Sequence, residues 1–382
     1  MRILYILRHN PWGIGGGCYA CRNYLEAFTE VFKDAEFDIL LCEEYLASCD
    51  SRVKPQNVNF IGVPPRTSFS RALIPLTKIM HRHQSKAIEM LGYNKYEYCI
   101  FDDNCIAGSL VRVCKKQGVK TVVINHNCEF EYFRDNIKGI KQALLLPVVK
   151  HNERVSYHEC NYNIFLTTED EQIFKSMYGE TKAVNIIGGC FISEDEVLPV
   201  CGDIPLNADS PKIVISGTIG NVQNIDGINY FLEELYDILP KEAEVIIAGK
   251  HAPSSLLERL KNYTNITLIS NPADILSIVK ECDVFLCPTR LGGGMKLRVM
   301  DGLKCGIPVL AHDVSSRGYS AFFASGYFEH FSNKKEFATK VNILLSNIKK
   351  RNISRIDIQN DAQNIWNFSA AVARLKIIKF GK

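Results

Sequence analysis

A chain of 382 residues exceeds the size at which a single hydrophobic core stops growing, so two domains are expected. Its 46% apolar and 23% charged residues are those of an ordinary globular protein, not a disordered one. With 45 basic and 42 acidic side chains the formal charge is +3, which gives no global electrostatic ground for binding nucleic acid.

The chain opens on a five-residue apolar run that ends at Arg8. That is too short for a signal-peptide core or a bilayer span, and it reads as a first buried strand. No later segment supplies a membrane-length apolar run. The 14 cysteines without a secretion signal therefore predict reduced, buried thiols in a cytosol. Further strands are expected at 37–41, 58–61, 98–101, 121–124, 163–166 and 184–187, with helical patterns at 17–33, 71–91, 104–117, 139–160 and 168–178 between them. The pattern breaks over 188–211, which is rich in glycine and proline and reads as a linker. Alternation resumes with strands at 213–216, 245–248, 266–269, 284–287 and 308–311, separated by helices at 224–238, 253–263, 272–281, 295–304 and 334–349. Near-continuous apolar strands alternating with helices predict parallel sheets covered on both faces, hence two Rossmann-like domains facing across a cleft. A last amphipathic helix, 361–379, with Ile365, Trp366, Phe368, Ala371, Val372, Leu375, Ile377 and Ile378 on one side, either closes the second domain or crosses back to brace the first.

In open parallel sheets ligands sit beyond the carboxyl ends of the strands. The first strand is followed by Gly15, Gly16 and Gly17 at a helix start, which lets a sugar or phosphate approach the backbone or forms a loose dinucleotide fingerprint. Cys18 and Cys21, directly after, have redox-motif spacing at a position that favours a thiolate. The fourth strand ends in Asp102-Asp103, read either as a divalent-metal site or as helix capping and polar contact. The fifth ends in His126, placed to hydrogen-bond a sugar hydroxyl or move a proton. Helix 71–91 has an apolar stripe and the cations Arg71, Lys78, Arg82 and Lys86 against Glu89 alone. It suits anionic lipid headgroups or an anionic acceptor, or is simply a solvated face.

Residues 283–311 are the most specific stretch: a buried strand, then Pro288, Arg290, Gly292, Gly293, Gly294, Met295, Lys296, Arg298 and Asp301, a glycine stop and a second strand. Bare N–H groups at a helix start, with Lys296 and Arg298 beside them, would hold a diphosphate. Asp301, expected about two turns, or on the order of 10 Å, into that helix, would reach ribose hydroxyls. The bland alternative is a tight turn followed by an i,i+3 surface pair of Arg298 and Asp301. A second glycine turn, Ser216, Gly217 and Thr218, leads into Asn224 and Asp226 and is expected to lie near the first.

These residues together resemble the retaining GT-B glycosyltransferases of family 4 (glycosyl transferases group 1), which use nucleotide-diphosphate sugars. The likeness spans essentially the whole chain. It rests on the opening strand with Gly16 and Gly17, His126-Asn127-X-Glu129, the segment 163–171, Ser216-Gly217 with Asn224-X-Asp226, and above all the run from Pro288 to Gly302 with Gly306-X-Pro308. The family has glutamate where this chain has Asp301, an acid at the place of Gly293, and an Arg and a Lys in the stretch that here runs cation-free from Gly217 to Gly227.

The resemblance implies a glycosyltransferase with an acceptor-binding domain over 1–185, a nucleotide-sugar-binding domain over 186–360 and a helix over 361–382 packing back towards the first. His126 would position the donor sugar, and Lys296 and Arg298 would neutralise the leaving diphosphate without an obligatory metal or cofactor. Gly16, Gly17, Gly217, Thr218, Asn224, Arg290, Gly292, Gly293, Gly294, Met295 and Asp301 would line the donor site. Expected partners are a nucleotide sugar, a glycan or lipid-linked acceptor of surface polysaccharide synthesis and an anionic membrane face, with the protein cytoplasmic or peripheral on the inner membrane. An epimerase or phosphorylase on the same fold, and a catalytically silent partner subunit, are the other readings.

Overall fold

The computed structural model describes the chain apart from residues 14, 49–56, 66, 80–82, 194, 195, 197, 200–204, 351, 352, 381 and 382. It divides into two compact units, Met1–Ser193 with Phe368–Lys382, and Glu194–Asn367.

In the first unit, seven strands form one parallel sheet: β1 (Arg2–Ile6), β2 (Glu36–Cys42), β3 (Val58–Val63), β4 (Tyr98–Phe101), β5 (Lys120–Asn125), β6 (Tyr162–Phe165) and β7 (Val184–Ile187). Their order is β3-β2-β1-β4-β5-β6-β7, so the direction of winding reverses between β1 and β4. Ile3, Leu4, Ile6, Ile100 and Phe101 are completely buried, as strands covered by helices on both faces require. A boundary after residue 185 would cut β7, whose ladder with β6 pairs Asn163 with Asn185 and Ile164 with Ile186; the division falls after Ser193 instead.

The second unit repeats the rhythm with six parallel strands: β8 (Lys212–Thr218), β9 (Glu244–Lys250), β10 (Ile266–Ser270), β11 (Val284–Cys287), β12 (Val309–His312) and β13 (Phe328–Phe331). The order β10-β9-β8-β11-β12-β13 reverses between β8 and β11. Its core gathers Ile213, Val245, Ile247, Phe231, Leu235, Leu286, Phe337 and Leu344.

Several helices differ from the sequence pattern. The stretch 71–91 is Ser68–Ala72, Ile74–Thr77 and His83–Tyr93, with Lys78 left-handed at φ 57° closing the second piece. Met80 and Arg82 lie outside the described residues. The last helix is two: Arg355–Ile365 in the second unit and Phe368–Phe380, which packs on Gly16–Val31 in the first. There the Tyr98 hydroxyl donates to the Ile378 carbonyl at 3.0 Å, and Arg374 donates to the Gly188 carbonyl at 2.9 Å. Ile365 and Ile377, expected on the apolar side, are exposed. No described helix is long and apolar enough to cross a membrane.

Candidate active site

The switch point of the second unit is built by β8 and β11. β8 ends in Ser216, Gly217 and Thr218, and the helix Val222–Tyr230 follows it. Gly227 in that helix has no side chain where a Cβ would lie 2.9 Å from the Thr289 Cα, so the helix closes tightly on the segment after β11. A small cavity opens there, lined by Ser216, Gly217, Asn224, Cys287, Pro288, Thr289 and Arg298 over the apolar Ile215, Ile219, Ile228 and Leu286.

Arg298 is the charge in this cavity. Its guanidinium donates from Nη1 to Asn224 Oδ1, from Nη2 to Thr289 Oγ1 at 2.9 Å and from Nε to Cys287 Sγ at 3.3 Å. The Asn224 amide is itself oriented by donating to the Thr218 carbonyl at 2.7 Å. No described carboxylate lies within 4 Å of Arg298, so its partners fix its direction without neutralising it. The surface ion pair with Asp301 is therefore not formed. Gly217, at φ 141°, has no side chain where a Cβ would stand 2.9 Å from the guanidinium. Ser216 Oγ is buried in the same cavity without a hydrogen-bond partner. An uncompensated cation, an unpaired hydroxyl and a side-chain-free backbone are what an anionic ligand needs.

The glycine turn does approach the first one. Gly292 (φ 82°) has no side chain where a Cβ would run into the amide of Gln223, the neighbour of Asn224. Gly294 is also left-handed, at φ 70°, and Gly293 lies between. This geometry delays the helix: it begins at Arg298 and runs to Lys304, not from 295. Met295, largely buried, and Lys296 lie in the turn before it. Lys296 Nζ folds back to donate to the Gly293 carbonyl at 2.9 Å, and the Tyr319 hydroxyl donates to the Lys296 carbonyl at 2.9 Å. Arg290 is held apart from the cavity charge: it pairs with Asp226 at 2.9 Å and lies 4.5 Å from the centroid of the Tyr230 ring. Asp301 falls in the first helical turn, not about two turns in. Burial raises its pKa to about 6, with Lys304 opposing, Glu196 adding to the rise and Arg298 opposing.

The switch point of the first unit has opposite chemistry. Asp102 follows β4 directly, His126 follows β5 directly and His9 follows β1 after two residues. Asp102 Oδ1 is 2.8 Å from His126 Nε2, and its Oδ2 is 3.4 Å from His9 Nδ1. Burial alone would raise the Asp102 pKa, but His126 and then His9 outweigh it and hold the group well below the usual carboxylate range. His126 is itself raised, burial being outweighed by Asp102. Asp103 resolves into a cap and an ion pair: it accepts from the Cys105 N–H at 2.6 Å and binds Arg8 at 2.5 Å. Arg8 also reaches Glu129 at 3.0 Å. Behind them Glu153 accepts from the Glu129 N–H at 2.7 Å, the Tyr178 hydroxyl at 2.6 Å and the Asn104 amide at 3.1 Å. Burial nonetheless pushes the Glu153 pKa up to about 8.

Gly16 opens the helix after β1, and Gly17 lies where a Cβ would come within 2.8 Å of the His9 ring. Burial raises the pKa of the neighbouring Cys18 and, far more, of Cys21, which disfavours the thiolate. The redox reading, which needs a thiolate here, gains no support from this burial. Thr289, Gln223, Arg8 and His9 were not singled out from sequence, although each lies within a few residues of a strand end, where such groups are to be sought.

Residues 210–347 match the family described as glycosyl transferases group 1. No curated protein matches the chain. Among solved structures it is similar to sucrose-phosphate synthase from Thermosynechococcus elongatus, at 12% identity and TM-score 0.71 over 99% of this chain and 98% of that one. It is similar to WaaG, a glycosyltransferase involved in lipopolysaccharide biosynthesis, at 14% identity and TM-score 0.66 over all of both chains. It is also similar to Anabaena HepE in complex with UDP and glucose, at 12% identity and TM-score 0.65 over all of both chains. With two parallel sheets and a likeness to these structures over the whole length, the chain has the GT-B fold, and residues 210–347 of its second unit are a glycosyl transferases group 1 domain.

Proposed function

We propose that this transferase moves a sugar from a nucleoside-diphosphate sugar, bound by the second unit, to a glycan or lipid-linked acceptor bound by residues of the first. The observation that carries the reading is Arg298: a guanidinium aimed by Asn224, Thr289 and Cys287, left uncompensated, at a glycine-lined cavity. Negative charge grows on the diphosphate as it departs, and a donor already oriented towards it stabilises that charge without reorganising. Ser216 Oγ and the backbone at Gly217, Thr218, Gly292, Gly293 and Gly294 complete the cradle. Lys296 adds a second cation on releasing the Gly293 carbonyl. No metal or cofactor is needed for this neutralisation.

Asp301 takes the ribose hydroxyls, its carboxylate form gaining as pH rises through about 6. His126, with Nε2 engaged by Asp102, offers Nδ1 to a sugar hydroxyl; that atom is buried without a partner. Retention of anomeric configuration follows the family resemblance. Surface polysaccharide synthesis is the proposed setting, in line with the lipopolysaccharide biosynthesis in which WaaG is involved. The exposed Leu76 beside Arg71 and Lys78 is the proposed peripheral contact with an anionic inner membrane face.

Thermal unfolding with UDP-, GDP- and ADP-sugars tests the donor. A ligand at 100 times its Kd stabilises by about 2.7 kcal/mol. One base class should raise Tm; no shift with any of them overturns the reading and favours a silent subunit. Conversion of the bound nucleotide sugar without acceptor would identify an epimerase instead.

A further inference from the structure

Three adjacent strands of the first unit, β1, β4 and β5, deliver His9, Asp102 and His126 to one spot at the carboxyl edge of the sheet. One ligating atom from each, two imidazole nitrogens and a carboxylate oxygen, all lie within 4.8 Å of one another, the one such trio among the described residues. We propose that these three side chains form a binding site for a divalent transition metal, with Zn2+ as the reference ion and a fourth position open to water. This binding does not rest on the transfer reaction proposed above.

The donor set is right for the ion. Two neutral imidazoles and one carboxylate are a common three-ligand set for zinc with an open fourth position. Tetrahedral bonds of about 2.0–2.1 Å hold ligand atoms about 3.3 Å apart. His9 Nδ1 lies 3.4 Å from Asp102 Oδ2 and His126 Nε2 lies 2.8 Å from Asp102 Oδ1, so an ion reached through either oxygen needs the imidazole on the other oxygen to shift towards it, within the 4.8 Å that bounds the trio. His9, 29% exposed at its side chain, is the ligand with room to adjust and the route by which an ion enters.

The surroundings support the ligands. The Arg8 and His9 backbone N–H groups lie 3.3 and 3.5 Å from Asp102 Oδ2, fixing a carboxylate that is itself fully buried. Gly17 leaves the space in which the His9 ring lies. Arg8 is occupied by Asp103 and Glu129, so it does not compete for Asp102. With the imidazoles neutral, one guanidinium and the three carboxylates of Asp102, Asp103 and Glu129 sum formally to 1 − 3 = −2, which a dication cancels. Zinc bound to His126 Nε2 replaces the contact with Asp102 that orients the ring, so occupancy should also oppose a sugar contact at that residue.

The test uses the full chain, reduced and stripped with a chelator, titrated with Zn2+ against a chromogenic zinc indicator, and in parallel with Co2+ followed by absorption. Wild type should bind one ion per chain with Kd below about 1 μM. His9→Ala and Asp102→Asn should each weaken binding at least tenfold, with circular dichroism reporting the fold. The Co2+ spectrum should lack a thiolate charge-transfer band, and a Cys18→Ser/Cys21→Ser double variant should bind as wild type. Absence of binding in wild type, wild-type affinity in folded His9→Ala, or a thiolate band would each overturn the site.

Discussion

The two switch points occupy the same place in two similar sheets, yet one is saturated with ionisable groups and the other is nearly empty of them. At β1 and β4, Arg8 meets Asp103 and Glu129, Asp102 meets His126, and Glu153 lies behind them on neutral donors in the same buried network. At β8 and β11, a single guanidinium is held by an amide, a hydroxyl and a thiol beside a glycine backbone. Topology fixes where ligands can bind, and the side chains after each strand decide what binds. A network that is already internally paired suits directional contact with neutral hydroxyls or a cation; an uncompensated cation suits an anion.

The contrast can be broken most forcefully at Glu153. Its pKa of about 8 lies above the unfolded value, so the native state binds the proton more tightly than the unfolded chain. Stability should therefore be greatest below about pH 4.5 on this account and fall as pH rises towards about 8, by a few kcal/mol in order of magnitude. Glu153→Gln should flatten that slope in urea unfolding series at pH 6 and pH 9; an unchanged slope would show that the carboxyl is ionised in the native state. Next in size is Gly217→Ala. It combines a φ of 141° with a methyl 2.9 Å from Arg298, and should cost about 1–3 kcal/mol of stability along with nucleotide-sugar protection in thermal unfolding.

Arg298→Ala removes the uncompensated charge itself and should lower turnover at least tenfold, about 1.4 kcal/mol of barrier, in a steady-state assay with the donor identified by the thermal screen. Wild-type turnover in a folded Arg298→Ala protein would remove the leaving-group role. Smallest is Asp226→Asn. The Arg290–Asp226 pair is partly exposed on both sides, so its loss should change the denaturant midpoint by no more than about 0.5 kcal/mol. A larger change would mean that Arg290 belongs to the anion site rather than to its rim.

Much of this contrast was legible in the residues. Apolar runs placed twelve strands of the sheets, clearest for the central ones, because a strand buried on both faces leaves no other pattern. The thirteenth, Phe328–Phe331, escaped because Glu329 and His330 interrupt it at a sheet edge. The glycines and Arg298 were visible as types, but the fork from Arg298 to Asn224 and Thr289 joins residues 74 and 9 positions apart that only the β8–β11 pairing brings together. The helix start was misplaced for a local reason: Gly292 and Gly294 both take positive φ, and the chain needs three more residues to recover a helical path. Glu153 was invisible, lying mid-helix among polar residues with its partners 24, 25 and 49 positions away.

The Phe368–Phe380 helix belongs to the unit that the N-terminal half of the chain begins. During synthesis, every residue of the second unit leaves the ribosome before the segment that completes the first. Tyr98 and Gly188 must therefore wait for the helix whose Ile378 and Arg374 they meet, 280 positions separating Tyr98 from Ile378 and 186 separating Gly188 from Arg374. The second unit can reach its native core while the first is still unfinished, so a nascent chain halted near residue 367 should expose the apolar flank of Gly16–Val31 to chaperones.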